Sequence, residues 1–222
     1  MRPRVVAIDG PAGSGKSTTA RAVAKRLGLA HLDSGALYRA ITLGVLDSGI
    51  PEAAGAVVGL AKSLPVRLSL VGEVFRPEVA GVDVSVAIRD ERVSGRVSRV
   101  AAMPEVREWV NQALRDAAAI HPRGVVADGR DIGTVVFPEA PIKVFLTASP
   151  EERARRRARQ EGSGTQALQQ VQDKLARRDA ADSSRAVAPL AAARDAVMLD
   201  TTGMGFEEQV EKIVALARKA FC

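Results

Sequence analysis

The chain has 222 residues, a length that fits one α/β domain, or one domain with an insertion, and that buries a sizeable core without disulfide or metal staples. Hydrophobic residues make up 46% and aromatics only 3%, which argues against capture of single-stranded nucleic acid by base stacking; one cysteine, Cys222, and two histidines exclude an intramolecular disulfide framework and a Cys- or His-rich metal site. Basic residues outnumber acidic ones 32 to 26, giving a net charge of +6, and the predominance of Arg over Lys permits an anionic ligand without requiring one.

Val5-Val6-Ala7-Ile8 reads as a short buried strand ended by Asp9-Gly10. A Gly-rich turn then enters a helix predicted over Lys16 to Leu27 and closed by Gly28. After His31-Leu32-Asp33, a second helix is predicted from Ala36 to about Asp47, with Gly49 beyond its end. Strand followed by helix, repeated, is the pattern of a parallel sheet wrapped by helices. Between about Pro65 and Gly95 the rhythm changes. Val66–Leu70 and Val82–Val86 alternate apolar and polar residues, which predicts a small inserted antiparallel β element with one wet face.

Helical spacing resumes from Pro104 to about Ile120. Val125-Val126-Ala127 and Ile142–Leu146 read as two more buried parallel strands. From Pro150 the chain is helical and strongly basic, interrupted by Gly162-Ser163-Gly164 and followed by a helix predicted over about Gln166 to Arg178. Val197-Met198-Leu199 is the last predicted strand, and Phe206 to Ala220 the closing helix. No apolar run reaches the ~18 residues of a membrane span, and Met1-Arg2-Pro3-Arg4 leads into only a short apolar stretch before Asp9, so a cytoplasmic protein is expected.

Gly10-Pro11-Ala12-Gly13-Ser14-Gly15-Lys16-Ser17 matches G-x-x-x-x-G-K-[ST] in full, after a predicted strand and before a predicted helix. Glycines let successive N–H groups point inward and cradle phosphate at a helix N-terminus, and Thr18 continues that edge. Lys16 supplies a point charge for the outer phosphates, and the Ser17 hydroxyl suits Mg²⁺. A nucleoside triphosphate is therefore expected here. No guanine-reading Asn-Lys-x-Asp accompanies the loop. Basic and acidic residues far from the loop point instead to a second ligand, and so to phosphoryl transfer rather than hydrolysis.

Four further segments carry that acceptor: Leu32-Asp-Ser-Gly-Ala-Leu-Tyr-Arg39, Val97-Ser-Arg-Val-Ala-Ala-Met-Pro-Glu-Val-Arg107, Ala127-Asp-Gly-Arg-Asp-Ile-Gly-Thr134, and Arg178-Asp-Ala-Ala-Asp-Ser-Ser-Arg-Ala-Val-Ala-Pro-Leu190. With the phosphate loop they resemble the bacterial-type cytidylate kinases, from Val5 to Asp200. The resemblance implies a five-stranded parallel core (about 1–62, 101–150 and 186–222), a nucleoside-monophosphate-binding insertion (about 63–100) and an Arg-rich helical lid (about 151–185). It further implies transfer of the γ-phosphoryl group of MgATP to CMP or dCMP. Arg39, Arg130 and Arg185 would correspond to contacts with the acceptor phosphate, Ser98, Arg107 and Asp131 to the groups around cytosine, and Arg178 and Asp182 to contacts near the sugar, with Ser34 in the same pocket.

Elementary chemistry is compatible with these roles. Cytosine offers acceptors at O2 and N3 and a donor at N4, which suit Arg107 and Ser98 on one side and Asp131 on the other. A helix continuing through Arg178, Asp182 and Arg185 would place them on one face at i, i+4 and i+7, with Pro189 ending the element; the alternative is a surface ion pair worth a few tenths of a kcal/mol. Asp128, at the carboxyl end of a strand, either orients Mg²⁺ or caps its own turn. Of the five arginines in Arg153–Arg159, Arg153 and Arg157 at i and i+4 are the pair expected to close over the transferring phosphate, with Gly162 and Gly164 as hinges. His31 and His121 are read as structural or solvent-facing, Tyr38 and Trp109 as core or pocket wall. Lys16, Arg130, Arg185 and Arg157 are thus the catalytic candidates in a chain expected to act as a monomer, without nucleic acid or membrane. The competing readings are a nucleic-acid-binding module, prompted by the charge, and a kinase for another small acceptor such as UMP or a sugar.

Overall fold

A computed structural model describes residues 4–162 and 168–221. Strand β1 (Val5–Asp9) is buried along its whole length because both faces of its sheet are covered. Val5 and Ala7 meet one cluster of buried side chains, while Val6 and Ile8 meet another on the opposite face. That two-sided burial explains the unbroken apolar run in place of alternation.

Helix α1 (Lys16–Leu27) ends on Gly28 in the left-handed conformation. Strand β2 (Ala30–Asp33) runs into α2 (Ser34–Ser48), whose first turn is capped by the Asp33 carboxylate accepting from the Ala36 amide at 3.1 Å. Helix α3 (Ala54–Ser63) precedes the hairpin strands β3 (Arg67–Val71), β4 (Val74–Val79) and β5 (Val82–Asp83). Then come α4 (Glu91–Val100), α5 (Pro104–Ile120), β6 (Val125–Gly129), a wide helical turn at Ile132–Val136, and β7 (Ile142–Thr147). Helices α6 (Pro150–Glu161) and α7 (Leu168–Ser183), strand β8 (Val197–Asp200) and helix α8 (Phe206–Phe221) complete the order.

Five strands, in the order β2-β6-β1-β7-β8, are parallel and form the core sheet. Helices α1 and α8 contribute to the cluster on one face, and α2, α3, α4 and α5 to the cluster on the other. Registers pair Ile8 and Asp33 each with Asp128, and Asp9 with Gly129, so three carboxylates end adjacent strands at one rim. The loops that follow those strands are where an open α/β sheet carries its ligands.

The antiparallel ribbon does not stand apart from the sheet. Strand β4 joins β2 in parallel at His31 and Val74, and β3 and β5 pair with it antiparallel. The wholly buried β2 would otherwise present an unpaired edge.

Three sequence expectations need correction. The strand expected over Val82–Val86 stops at Asp83, where the Asp83 carboxylate accepts from the Ser85 amide at 2.8 Å and turns the chain; Val82 and Val86 are exposed, so their alternation marks no buried face. Residues 91–100 form a helix, not ribbon: Asp90 caps it, and Val93, Val97 and Val100 are buried at helical spacing. Helix α7 runs past Arg178 and Asp182 but ends at Ser183, so Arg185 is not on its face and instead returns to Asp182 from the following turn. Gly162 caps α6 in the left-handed conformation, while Ser163, Gly164 and Gln166, singled out in the sequence, lie outside the described residues.

Candidate active site

The phosphate loop leaves β1 at Asp9 and closes on α1. Gly10 has φ +148°, and a Cβ there would collide with the backbone carbonyl of Leu146 on β7. Only glycine lets the loop start that close to the neighbouring strand. At the other end Gly15, with φ +91°, is the left-handed residue from which α1 begins.

Lys16 is buried under this arch and donates to Pro11 O at 2.6 Å and Ser14 Oγ at 3.3 Å. Burial and then the nearby Arg130 hold its pKa well below the ordinary lysine value, with Arg178 adding to the effect. Ser17 donates to Asp128 Oδ2 at 2.6 Å, and His31 Nε2 meets Asp128 Oδ1 at 2.7 Å. Burial opposes a charge on Asp128, but the hydrogen bonds from His31 and Ser17 outweigh it and keep the carboxyl below its usual range. An ionised Asp128 assigns the proton on that ring nitrogen to His31, which donates it. His31 is thus structural, as expected, but its task is to fix a carboxylate at the ligand-bearing rim.

Asp9 reaches across to the turn that follows β6. Its two oxygens accept from the Ile132 and Gly133 amides at 2.8 and 2.7 Å, and so hold the turn that directly follows Arg130 and Asp131. Burial pushes its pKa up to about 6, with Asp131 adding to the effect.

Opposite Lys16, guanidinium groups from several elements converge. Arg39, buried on α2, donates to Ile88 O at 3.0 Å and Ser94 Oγ at 2.9 Å. Arg130 Nε donates to Asp182 Oδ2 at 2.8 Å, and Arg185 pairs with the other oxygen of the same carboxylate. Burial brings Arg39 down to about 10, with Arg89 and Arg157 adding to the effect; burial brings Arg178 down to about 9, with Arg130 and Arg39 adding. Burial is the larger cause in both, and the rest reflects how close these arginines lie to other cations.

Arg107, from α5, pairs with Asp131, donates to Ala101 O at 3.0 Å, and lies over the Tyr38 ring at 5.4 Å. Tyr38 itself belongs to the buried core cluster. The Tyr38 hydroxyl and the Nε atoms of Arg107, Arg178 and Arg185 are buried without a protein acceptor. All four can donate, and the Tyr38 hydroxyl can also accept. Ser34 donates to the Asp128 backbone oxygen at 2.9 Å. Ser98 is half-buried on α4, one turn beyond Ser94, on the face that Ser94 turns towards Arg39.

The arginines of α6 divide their work. Arg153 donates to Ala12 O at 2.9 Å and Ala148 O at 3.2 Å and pairs with Asp179, whose other oxygen accepts from the Ala12 amide at 2.8 Å. Arg156 donates to Ser14 O at 3.1 Å and to the Thr201 hydroxyl and carbonyl at 2.9 and 2.8 Å. Both therefore grip the phosphate loop by its backbone. Arg157 is the one whose charge reaches Arg39 and Arg178. Arg153 and Arg157, expected to act together, serve different neighbours. Asp9, Arg89, Arg156 and Asp179 were not singled out in the sequence. Only Asp9 left a usable signal there, as a carboxylate ending a buried strand at the mouth of a phosphate loop.

Comparison with known proteins gives one family. The cytidylate kinase family model matches residues 6–219. The chain is similar to the cytidylate kinase of Azotobacter vinelandii, 48% identical over 97% of this chain and 95% of that protein. It is also similar to the cytidylate kinase of Streptomyces griseus, 45% identical over 96% of this chain and 91% of that one. Among solved structures, an uncharacterized protein from Eubacterium ventriosum superposes with a TM-score of 0.52 at 12% identity, covering 98% of this chain and 99% of that one, a likeness of fold alone.

Proposed function

The chain belongs to the cytidylate kinase family, and from that premise we propose how its geometry moves the γ-phosphoryl group of ATP onto the 5′-phosphate of CMP or dCMP. The observation that carries this reading is the cluster in which Asp182 holds Arg130 and Arg185 together, with Arg130 and Arg178 close enough to Lys16 to act on its charge. A single triphosphate would be served by the loop. A second cluster of donors, lined on one side by a carboxylate–guanidinium pair, fits a second anion that also has a base.

ATP occupies the loop from Gly10 to Thr18, its outer phosphates against Lys16. The acceptor phosphate lies among Arg39, Arg130 and Arg185, the sugar near Arg178 and Asp182, and the base beside Ser98, Arg107 and Asp131, with Ser34 at the pocket floor. Arg107 holds Asp131 at Oδ2, which fixes the carboxylate towards the amino group of cytosine. Uracil would turn a carbonyl to the same carboxylate and be repelled, and a pocket built on hydrogen bonds rejects such an analogue strongly.

The acceptor is a phosphate monoester whose oxygen is already a competent nucleophile, so no general base is required. The chain's contribution is positioning and charge neutralisation by Lys16, Arg130, Arg185 and Arg157. Arg153 and Arg156 serve the donor less directly, by fixing the loop carbonyls of Ala12 and Ser14.

Ser17 and Asp128 present adjacent oxygen donors, and His31 keeps the second one ionised. Such a set fits a hard divalent cation such as Mg²⁺, which takes few protein ligands and completes its shell with water and phosphate oxygens. Among the described residues no group of three or more acidic, His or Cys side chains offers a fuller cage. Bound there, Mg²⁺ would neutralise charge on the outer phosphates.

In this reading residues 63–100 form the acceptor-binding insertion and 151–185 the lid. Both sites are assembled from one chain, which fits a monomer in the cytoplasm serving pyrimidine nucleotide metabolism. No described helix is long and apolar enough to cross a membrane. A coupled ADP-release assay across CMP, dCMP, UMP, AMP and shikimate tests the proposal. The fastest turnover is expected with CMP or dCMP; equal or faster turnover with UMP, AMP or shikimate refutes it.

A further inference from the structure

Asp179 has no place among the groups that hold either nucleotide, yet it sits where the two sites meet. Its Oδ1 accepts from the Ala12 amide of the phosphate loop at 2.8 Å, while its Oδ2 pairs with Arg153, which itself donates to Ala12 O at 2.9 Å. Both peptide groups of one loop residue are thus held by a single ion pair. Beneath it, Ala12 packs with Ala154, Val171 and Leu175 in a small buried cluster of its own. Val171, Leu175 and Asp179 follow at four-residue intervals and turn one stripe of α7 to the loop.

The neighbouring stripe of the same helix carries Arg178 and Asp182, and Asp182 holds Arg130 and Arg185 of the acceptor cluster. One rigid helix therefore touches the donor loop through Asp179 and the acceptor pocket through the residues on either side of it. Any shift of α7 that comes with filling the acceptor pocket reaches Ala12 by two routes, the packing of Val171 and Leu175 and the polar tie of the Asp179 carboxylate to the Ala12 amide.

Resting on the two-site reading above, we infer that Asp179 is a positioning residue that couples the two sites, so that CMP bound at the arginine cluster tightens the hold on ATP, and ATP tightens the hold on CMP by the same factor. A tie that merely stabilised the loop would weaken ATP binding whether or not CMP was present. A coupling group leaves each nucleotide's separate affinity nearly intact and removes only their mutual enhancement.

The test is calorimetric titration of the full chain with CMP, with a non-hydrolysable ATP analogue plus Mg²⁺, and with each in the presence of the other. The wild type is compared with Asp179→Ala and Asp179→Asn, folding being checked by thermal melts. In the wild type each ligand is expected to tighten the other by about fivefold or more. Asp179→Ala is expected to bring that factor to about one while the single-ligand constants stay within about twofold. Asp179→Asn keeps an oxygen for the Ala12 amide but loses the charge pair, and is expected to retain part of the factor; should the alanine variant fail to fold, the asparagine variant alone decides, a factor equal to wild type overturning the proposal. Coupling that survives Asp179→Ala, a proportional loss of both single-ligand affinities with coupling intact, or a wild type that binds both nucleotides independently each overturns it as well. A wild type that binds the ATP analogue but not CMP overturns the functional reading together with this inference.

Discussion

The two ends of the site are built on different principles. The donor end is one contiguous loop whose shape depends on backbone: Gly10 passes under the Leu146 carbonyl, Gly15 starts α1, and the Ala12 and Ser14 carbonyls are held from outside by Arg153 and Arg156. The proposed acceptor end is a set of side chains drawn from α2, α4, α5, the end of β6, α7 and the turn beyond it. Burial, and then neighbouring cations, lower Arg39 and Arg178, and the Nε atoms of Arg107, Arg178 and Arg185 have no protein acceptor. A backbone cradle recognises what all nucleoside triphosphates share. Dispersed side chains, each free to differ, can recognise one base.

The contrast is sharpest at Lys16, the side chain set against the outer phosphates in the proposed donor site. Lys16→Ala is expected to lower kcat by about 10³-fold or more, the upper range for losing one preorganised charge-stabilising group, with little change in a thermal melt. Turnover within tenfold of wild type would move the donor site elsewhere.

Backbone construction is tested by Gly10→Ala. The added methyl meets the Leu146 carbonyl at a φ that other residues rarely adopt, so a loss of about 3 kcal/mol or more in denaturant unfolding is expected. A stability within about 0.5 kcal/mol of wild type would show that the loop has room to move, since that is the usual range for substitutions away from such features.

Asp9 links the two ends, and its titration is expected to show in stability. Its native pKa of about 6 lies above the unfolded value near 3.8, so the native state binds the proton more tightly. That contribution is complete below about pH 4 and is lost as pH rises through 6; at most it amounts to about 3 kcal/mol. The unfolding free energy of wild type minus that of Asp9→Asn is therefore expected to be more favourable at pH 4 than at pH 7.5. A flat difference between those pH values would contradict the raised pKa.

The side-chain character of the acceptor end is tested by Asp131→Asn. With the carboxylate gone, the kcat/KM ratio of CMP over UMP is expected to fall about 10- to 100-fold, as a site that matched one hydrogen-bonding pattern loses it. An unchanged ratio would remove Asp131 from base reading.

How much of this was legible follows the same division. Gly10 to Ser17 is contiguous, so its spacing alone gave the loop, and β1, α1 and the Gly28 cap came with it. The arginines and aspartates proposed for the acceptor come only from several spaced motifs taken together. Arg185 shares a face with Arg178 and Asp182 only if the helix read over about Gln166 to Arg178 continues that far, and it stops at Ser183; spacing alone does not show where a helix ends. Asp179, His31 and Asp9 act on Ala12, Asp128 and Ile132 across 167, 97 and 123 residues of sequence. No local pattern marks such contacts, since the folded sheet creates them. The 82–86 alternation misled for the opposite reason: a period of two describes a strand only when one face is covered, and Val82 and Val86 face solvent.

The division between the two ends is tested most directly by Arg185→Ala, examined by steady-state kinetics with both nucleotides varied. Arg185 stands beyond the end of α7 and serves Asp182 and the acceptor cluster. Expected is a rise of about tenfold or more in the KM for CMP, in line with losing one charge-assisted contact, while the KM for ATP stays within about twofold. An equal rise in both, or a rise for ATP alone, would contradict the assignment of this cluster to the acceptor.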